Sequence, residues 1–203
     1  MTRLVAFTLL FFVMGASAQE RPKESPVDSE RIGALLKRDL HERGQAKMDR
    51  VATDEVQHAC NQHADNPPAE LAKRLEAAQL KAIPFPAGSL LGSWQNGEKI
   101  AQSGRGMTWS DKPGEAGGSC YNCHEISPKE EAHGTVGPSL ARFGKLRGSG
   151  PEMQRYVYGK IYNSKAYNAC SQMPRFGASG TLNEQQIKDL AALLLDPASP
   201  VNR

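Results

Sequence analysis

The segment Cys120-Tyr121-Asn122-Cys123-His124 constrains this chain more than any other stretch of its sequence. It places two thiols and one imidazole within five residues. The C-x-x-C-H spacing is typical of covalent heme c attachment. Each thiol would form a thioether with one vinyl group of the porphyrin, and the imidazole would then lie below the iron. The motif therefore predicts Cys120 and Cys123 as heme-binding residues and His124 as a metal ligand.

Three other uses of the motif compete with heme attachment. A thioredoxin-like C-x-x-C is expected beside a βαβ pattern, which the sequence lacks. A zinc site needs a second pair of ligands at similar spacing, whereas Cys60, Cys170 and His133 each stand alone in the sequence. A disulfide between the two thiols of the motif would leave its histidine without a role. We prefer heme attachment because it uses all three side chains.

The first eighteen residues are typical of a signal peptide. Arg3 supplies positive charge, residues 4–13 are apolar but too few to cross a bilayer, and Ala16-Ser17-Ala18 matches the small-residue cleavage pattern. We expect cleavage after Ala18 and secretion to the periplasm, with an uncleaved anchor as the alternative. No later stretch is apolar enough to span a membrane. The net charge of +3 predicts neither a nucleic-acid partner nor membrane binding.

Helical periodicity dominates the rest of the chain, so we expect an all-α protein. Before residue 88, apolar residues recur at helical spacing over 32–40, 48–60 and 66–78. The third of these patterns opens with Asn66 as N-cap and Pro67 at the first helical position.

The segment 83–88 contains two prolines and a glycine, which oppose regular structure. We therefore divide the chain into a signal peptide over 1–18, a helical N-terminal extension with a linker over 19–88, and a second domain over 89–203. That domain is expected to have a helix at each end and loops between them.

The two terminal helices of the second domain have different signals. The first covers 94–101 and ends before Gly104. The last is capped by Asn183, with Gln186 three residues on, as in a capping box. An apolar stripe then follows over 187–194. A domain with so many loops between its helices needs a group to fold around.

Met173 is the expected second axial ligand of the iron. It precedes Pro174 in the loop before the last helix, where a thioether would approach from the face opposite His124. Met107 and Met153 are rivals, although Met153 lies in a helical pattern that suits core packing. Ligation by histidine and methionine fills both axial positions and favours electron transfer over chemistry at the iron.

Two further features bear on the site. The carbonyl of Pro138 either accepts the second N–H of the His124 ring, as a metal-bound imidazole requires, or belongs to a simple turn, and the sequence leaves both open. Cys60 and Cys170 are predicted to form a disulfide, because spare cysteines usually pair in an oxidising compartment. A free thiol or a bond to a partner chain is the alternative.

Five stretches of the second half resemble one protein family. They cover 118–124, 134–148, 158–170, 173–177 and 195–202. The most specific are Tyr-Gly-Lys-Ile-Tyr-Asn at 158–163 and Met-Pro-Arg-Phe-Gly at 173–177. Over residues 88–203 the chain resembles the SoxX family, the monoheme cytochrome c subunits of the SoxAX complex of thiosulfate oxidation.

The resemblance implies a class I cytochrome c fold around one covalent heme c. Cys120 and Cys123 would hold the heme, and His124 and Met173 would ligate its iron. It also implies a heterodimer with SoxA, which holds the substrate site. The complex, an L-cysteine S-thiosulfotransferase, joins thiosulfate oxidatively to a cysteine of the SoxYZ carrier.

On this interpretation the chain has no catalytic residue of its own. It accepts electrons and passes them to a soluble cytochrome c. A free-standing periplasmic cytochrome that shuttles electrons to a terminal oxidase is the alternative. A peroxidase with an open axial position and a protein without heme that uses its thiols or zinc are less favoured.

Overall fold

A computed structural model describes residues 29–106, 108–111 and 115–203 of the chain. The described residues form helices and loops and contain no β-strand, so the all-α prediction is confirmed for this part of the chain. The predicted signal peptide over 1–18 and the rival ligand Met107 lie outside the described residues.

None of the helices described here is long and apolar enough to cross a lipid bilayer. The α-helices are α1 (Ser29–Asp39), α2 (Glu55–Gln62), α3 (Ala69–Lys81), α4 (Trp94–Gln102), α5 (Phe143–Arg147), α6 (Pro151–Tyr162) and α7 (Glu184–Leu195). Short 3₁₀ turns cover Met48–Val51, Cys120–Asn122, Ser164–Ala166 and Pro200–Asn202. The chain divides into two compact units. Helix α1 belongs to the first unit, and the second unit is Leu40–Arg203.

The second and third predicted helices differ from the expected ones. The pattern over 48–60 is split, because Asp54 begins α2 as an N-cap whose carboxylate accepts the backbone N–H of Gln57 at 2.8 Å. The third helix starts at Ala69 with Pro68 as its N-cap, and not at Asn66 and Pro67. A residue that precedes proline is disfavoured in the helical region, so Pro67 cannot open the helix.

The main core is built where α4 crosses α7. The capping box of Asn183 and Gln186 is present at the start of α7, as predicted. Most of α7 is buried, including Ile187 and Leu193. A Cβ on Gly97 of α4 would lie 2.7 Å from the backbone carbonyl carbon of Asp189, closer than Cβ atoms approach other groups. The two helices therefore meet backbone to backbone at this glycine.

The middle of the second domain is more helical than expected. Where the sequence indicated loops, apart from a helical pattern at Met153, the structure has the twelve-residue helix α6, which begins with Pro151 in its first turn. Val157, Tyr158 and Ile161 of this helix are buried in the main core. The helix therefore supplies one wall of the core that the sequence pattern assigned to loops.

A smaller core joins the N-terminal helices to the loop after α6. Val56 of α2, Leu75 of α3 and Ala169 are buried together around a disulfide between Cys60 and Cys170. The predicted disulfide is thus confirmed. The linker over 83–88 has no helix, while the division of the chain at residue 88 stays a prediction.

Replacement of Gly97 by alanine tests the close crossing of α4 and α7. Alanine is the better helix former by about 1 kcal/mol, but its methyl group would overlap the backbone of Asp189. Overpacking of this kind costs about 1–3 kcal/mol, which exceeds that gain, so we expect Gly97→Ala to destabilise the protein by a net of about 1 kcal/mol in urea unfolding. Gly33→Ala in the interior of α1 is the control, because no atom lies within 4 Å of the added Cβ there. It makes the same exchange in a helix, and it should not destabilise the protein.

Candidate functional site

The two thiols and the imidazole of the motif lie on one tight turn. Cys120–Asn122 forms a 3₁₀ turn that begins after Ser119, whose φ of 47° is left-handed. The backbone N–H groups of Cys123 and His124 both donate to the carbonyl of Cys120, at 3.1 and 3.0 Å. These backbone bonds therefore fix the spacing of the three side chains.

This turn is attached to the end of α4. The N–H of Gly118 donates to the carbonyl of Ile100 at 2.8 Å, and the N–H of Ser119 donates to that of Ser103 at 3.0 Å. Cys120 packs against the main core. Because α4 also packs closely against α7 at Gly97, this helix joins the motif to the main core.

The imidazole of His124 is oriented by the segment that follows the motif. Its Nδ1 lies 2.7 Å from the carbonyl oxygen of Pro138. A carbonyl can only accept, so the ring proton is on Nδ1 and the lone pair of Nε2 is left for another partner. The structure therefore favours the first of the two interpretations of Pro138. A ligating histidine is held in this way by a second-shell acceptor in metal sites.

The backbone of Gly137 forms the surface on which the imidazole rests. A Cβ at this position would overlap the ring of His124 and lie 2.7 Å from its Nε2. The N–H of Gly137 also donates to the carbonyl of Cys123 at 2.7 Å. Sequence reasoning missed the role of this glycine, although its place directly before Pro138 was a signal that the backbone approaches another group closely.

The thiols of Cys120 and Cys123 are free in the structure and form no disulfide with each other. Burial raises the pKa of Cys120 to about 12, and the neighbouring Cys123 adds to the effect. Reactive cysteines of thiol oxidoreductases have a lowered pKa instead, because the thiolate is the nucleophile. The environment of Cys120 therefore disfavours the thioredoxin-like alternative.

Met173 lies on the segment between the Ser164–Ala166 turn and α7. Its backbone carbonyl accepts a hydrogen bond from the hydroxyl of Ser164 at 2.5 Å. Its side chain is partly buried against the main core, which Cys120 and Leu140 also border. Met153, the rival on α6, packs against the same core. The structure thus brings the thioether and the motif to one core, on different segments of the chain.

A zinc site finds no support in the described part of the chain. The one group of three metal-ligating side chains found there consists of Cys60, Asp65 and Cys170. Its two sulfur atoms are joined in the disulfide, so they cannot bind zinc as thiolates. His133 lies beside the carbonyl of Gly134 at 3.1 Å.

The residues of the motif fit a covalently attached heme. Cys120 and Cys123 offer unpaired sulfur atoms at the required spacing. His124 keeps Nε2 available, because Nδ1 is occupied and the ring is confined by Gly137. The thioether of Met173 supplies the soft donor that would complete the axial pair.

The chain was also compared with known proteins. No family model matches it. It is 35% identical over 157 residues to a protein of Aquifex aeolicus (strain VF5) named "Uncharacterized lipoprotein", and the alignment covers 75% of this chain and 74% of that protein. This name gives no activity, cofactor or partner, so the chemistry of the site must be argued from its residues.

The reactivity of Cys120 tests its buried environment. The variant Cys123→Ser, secreted by cells that lack heme-attachment enzymes, isolates the Cys120 thiol. Raising its pKa from 9.0 to about 12 lowers the thiolate fraction at pH 8 roughly 1000-fold, while the greater basicity restores roughly 20-fold in nucleophilicity. We expect iodoacetamide to alkylate Cys120 roughly 50-fold more slowly in the folded chain than in urea. Equal rates would restore the thiol-redox alternative.

Proposed function

The chain belongs to the same family as the Aquifex lipoprotein, and we propose that it is a c-type cytochrome with one covalent heme c. The observation that carries this proposal is the hydrogen bond between Nδ1 of His124 and the carbonyl of Pro138. It prepares the imidazole as a metal ligand on a turn that also presents two free thiols. The thiol-redox alternative leaves the oriented imidazole without a purpose. A zinc site would need a second pair of ligands beside the motif, and the described residues place none there.

Each residue of the site has a separate task in this proposal. Heme c, when bound, would take up and release one electron at a time at its iron. Cys120 and Cys123 would hold it by thioether bonds, and His124 would bind the iron through Nε2. Gly137 and Pro138 confine the ring of that histidine. Met173 would supply the second protein ligand, and iron with two protein ligands favours electron transfer over chemistry on a bound substrate.

Within the all-α architecture, we propose that the second domain has the class I cytochrome c fold. The close crossing of α4 and α7 at Gly97 supports it, because these helices begin and end the predicted domain over 89–203. The segments between them carry the thiols, the histidine and Met173. A heme would then supply much of the apolar material that these loops enclose.

We further propose that the chain is the SoxX-type electron-transfer subunit of a SoxAX complex. Its partners would be SoxA in a heterodimer, the SoxYZ carrier transiently, and a soluble acceptor cytochrome c. The stretches over 158–163 and 173–177, which carry the resemblance, support this assignment. SoxA would perform the thiosulfate chemistry, and no residue of this chain would act on substrate. A free-standing periplasmic electron shuttle is the second candidate.

A periplasmic location accords with three observations. The sequence over 1–18 is typical of a signal peptide. The disulfide between Cys60 and Cys170 is of a kind that persists in oxidising compartments. The Aquifex relative is named a lipoprotein, which places that protein among exported ones.

Mass and axial ligation test the cytochrome proposal. The secreted chain is expected to carry the mass of one heme that denaturation does not remove. Met173→Ala should keep the heme, bind added imidazole readily, and lower the reduction potential by on the order of 100 mV, because the thioether stabilises ferrous iron. The control is Met153→Ala, which removes a rival methionine of α6 that packs against the same core.

Two results would contradict these assignments. A colourless chain with only its polypeptide mass would exclude the cytochrome. A heme protein whose spectrum and potential respond to Met153→Ala, and not to Met173→Ala, would transfer the axial role to Met153.

Isolation of the chain from its host separates the two candidate roles. From cells grown on thiosulfate, the affinity-tagged chain should copurify with a second heme-containing chain in a 1:1 ratio. The isolated chain should then be reduced by thiosulfate and SoxYZ only when that partner is present. A monomer from the same cells that functions equally well alone would instead support the free-standing shuttle.

A further inference from the structure

The N-terminal helices contact the segment that carries Met173 at both ends and along its length. We call residues 54–81, which contain α2 and α3, the brace, and residues 163–175 the ligand segment. We propose that the brace positions Met173 on the heme iron, with Cys60 and Asp54 as positioning residues. This inference rests on the proposed function, since it concerns the second axial ligand.

The ligand segment has little regular structure of its own. Between the end of α6 at Tyr162 and the start of α7 at Glu184, its one helical turn is Ser164–Ala166. The hydroxyl of Ser164 holds the backbone of Met173. Because an irregular segment has many accessible conformations, contacts made from outside the segment add to these internal bonds in fixing the position of Met173.

The first contact from outside the segment is covalent and lies just before Met173. Cys170, three residues before Met173, is bonded to Cys60 of α2. Cys60 is fully buried in the smaller core, beside Val56 and Leu75. The disulfide therefore fixes the ligand segment, just before Met173, to a packed part of the brace.

The second contact from outside the segment is an ion pair just after Met173. The guanidinium of Arg175, two residues beyond Met173, donates to Oδ2 of Asp54 at 2.5 Å. The other oxygen of Asp54 caps α2 through the N–H of Gln57. Burial alone would raise the pKa of Asp54, but the bonds from Gln57 and Arg175 lower it below its usual value. The carboxylate is therefore charged at neutral pH.

Further hydrogen bonds join the brace to other residues of the ligand segment. Three side chains of the brace accept them: Glu76 from the backbone of Ala169 at 3.0 Å, Gln79 from Asn163 at 2.8 Å, and Asp65 from Gln172 at 3.2 Å. Together the contacts cover the whole ligand segment. The disulfide at Cys170 and the ion pair at Arg175 lie on either side of Met173, within three residues of it. If the brace only covered apolar surface, it would not need polar contacts with the ligand segment at so many residues.

The consequence concerns how often the thioether leaves the iron. A brace that restrains Met173 lowers the population of the state in which the axial position is open. The apparent affinity of an added ligand for the iron is proportional to that population. Loss of the brace should therefore strengthen the binding of added imidazole and lower the reduction potential, even though no brace residue touches the iron.

Two variants of the heme-loaded protein test this inference. Asp54→Asn removes the charge that faces Arg175 and keeps a side-chain oxygen for the α2 cap, since asparagine caps as well as aspartate. The double variant Cys60→Ala with Cys170→Ala removes the disulfide. We expect imidazole to bind the ferric protein about threefold more tightly in the first and about tenfold more tightly in the second. Asp54→Glu should restore most of the original affinity.

The matched control is Glu55→Gln. Glu55 is adjacent to Asp54 and pairs with Arg74 at 3.5 Å, which joins α2 to α3 without a contact to the ligand segment. Imidazole affinity and potential should not change in this variant. A second control places the brace variants in a Met173→Ala background, where no thioether remains to be positioned. There, they should leave imidazole affinity unchanged.

The outcomes separate this inference from the proposed function. A colourless wild-type chain would overturn both. A heme protein with unchanged imidazole affinity in Asp54→Asn and in the disulfide variant would overturn the brace and leave the cytochrome intact. Tighter binding that persists in the Met173→Ala background would also overturn it, because the brace would then act on general stability and not on Met173.

Discussion

The hydrogen bond between Nδ1 of His124 and the carbonyl of Pro138 assigns the ring proton, because a carbonyl can only accept. Everything proposed for the motif depends on the nitrogen that this bond leaves available. The bond exists because the segment containing Gly137 runs beside the motif with no side chain to separate them. A glycine and a proline that are adjacent in sequence thus determine the chemistry of a histidine in a different turn.

The rigidity of the site comes from packing at a distance from it. The crossing of α4 and α7 at Gly97 brings two backbones together, and the end of α4 holds the turn that contains the thiols. An electron carrier gains from such a scaffold, because its ligands should move little when the charge at the metal changes. The same packing that stabilises the fold would therefore also restrain the first coordination sphere.

Residue spacing and turn or cap preferences predicted those features that depend on a short stretch of sequence. The motif, the capping box at Asn183 and the pairing of two spare cysteines each follow from spacing or compartment, and the last two are confirmed. The residues around Met153 indicated a helix, but the extent of α6 was missed, because Gly159 lies within it and an isolated glycine weakens a helical pattern. The role of Gly137 depends on a contact between two segments, which no local pattern displays.

The contacts of the brace differ in strength and in their response to solution conditions. A disulfide that closes a loop of this length stabilises by about 5 kcal/mol in the chain-entropy account, whereas a partly exposed ion pair contributes about 1 kcal/mol or less. Salt screens the pair of Asp54 and Arg175 but leaves the Cys60–Cys170 bond unaffected. If the chain is exported, as we propose, it meets variable ionic strength. A covalent restraint before Met173 and an ionic one after it would then keep Met173 in place where charge alone would not.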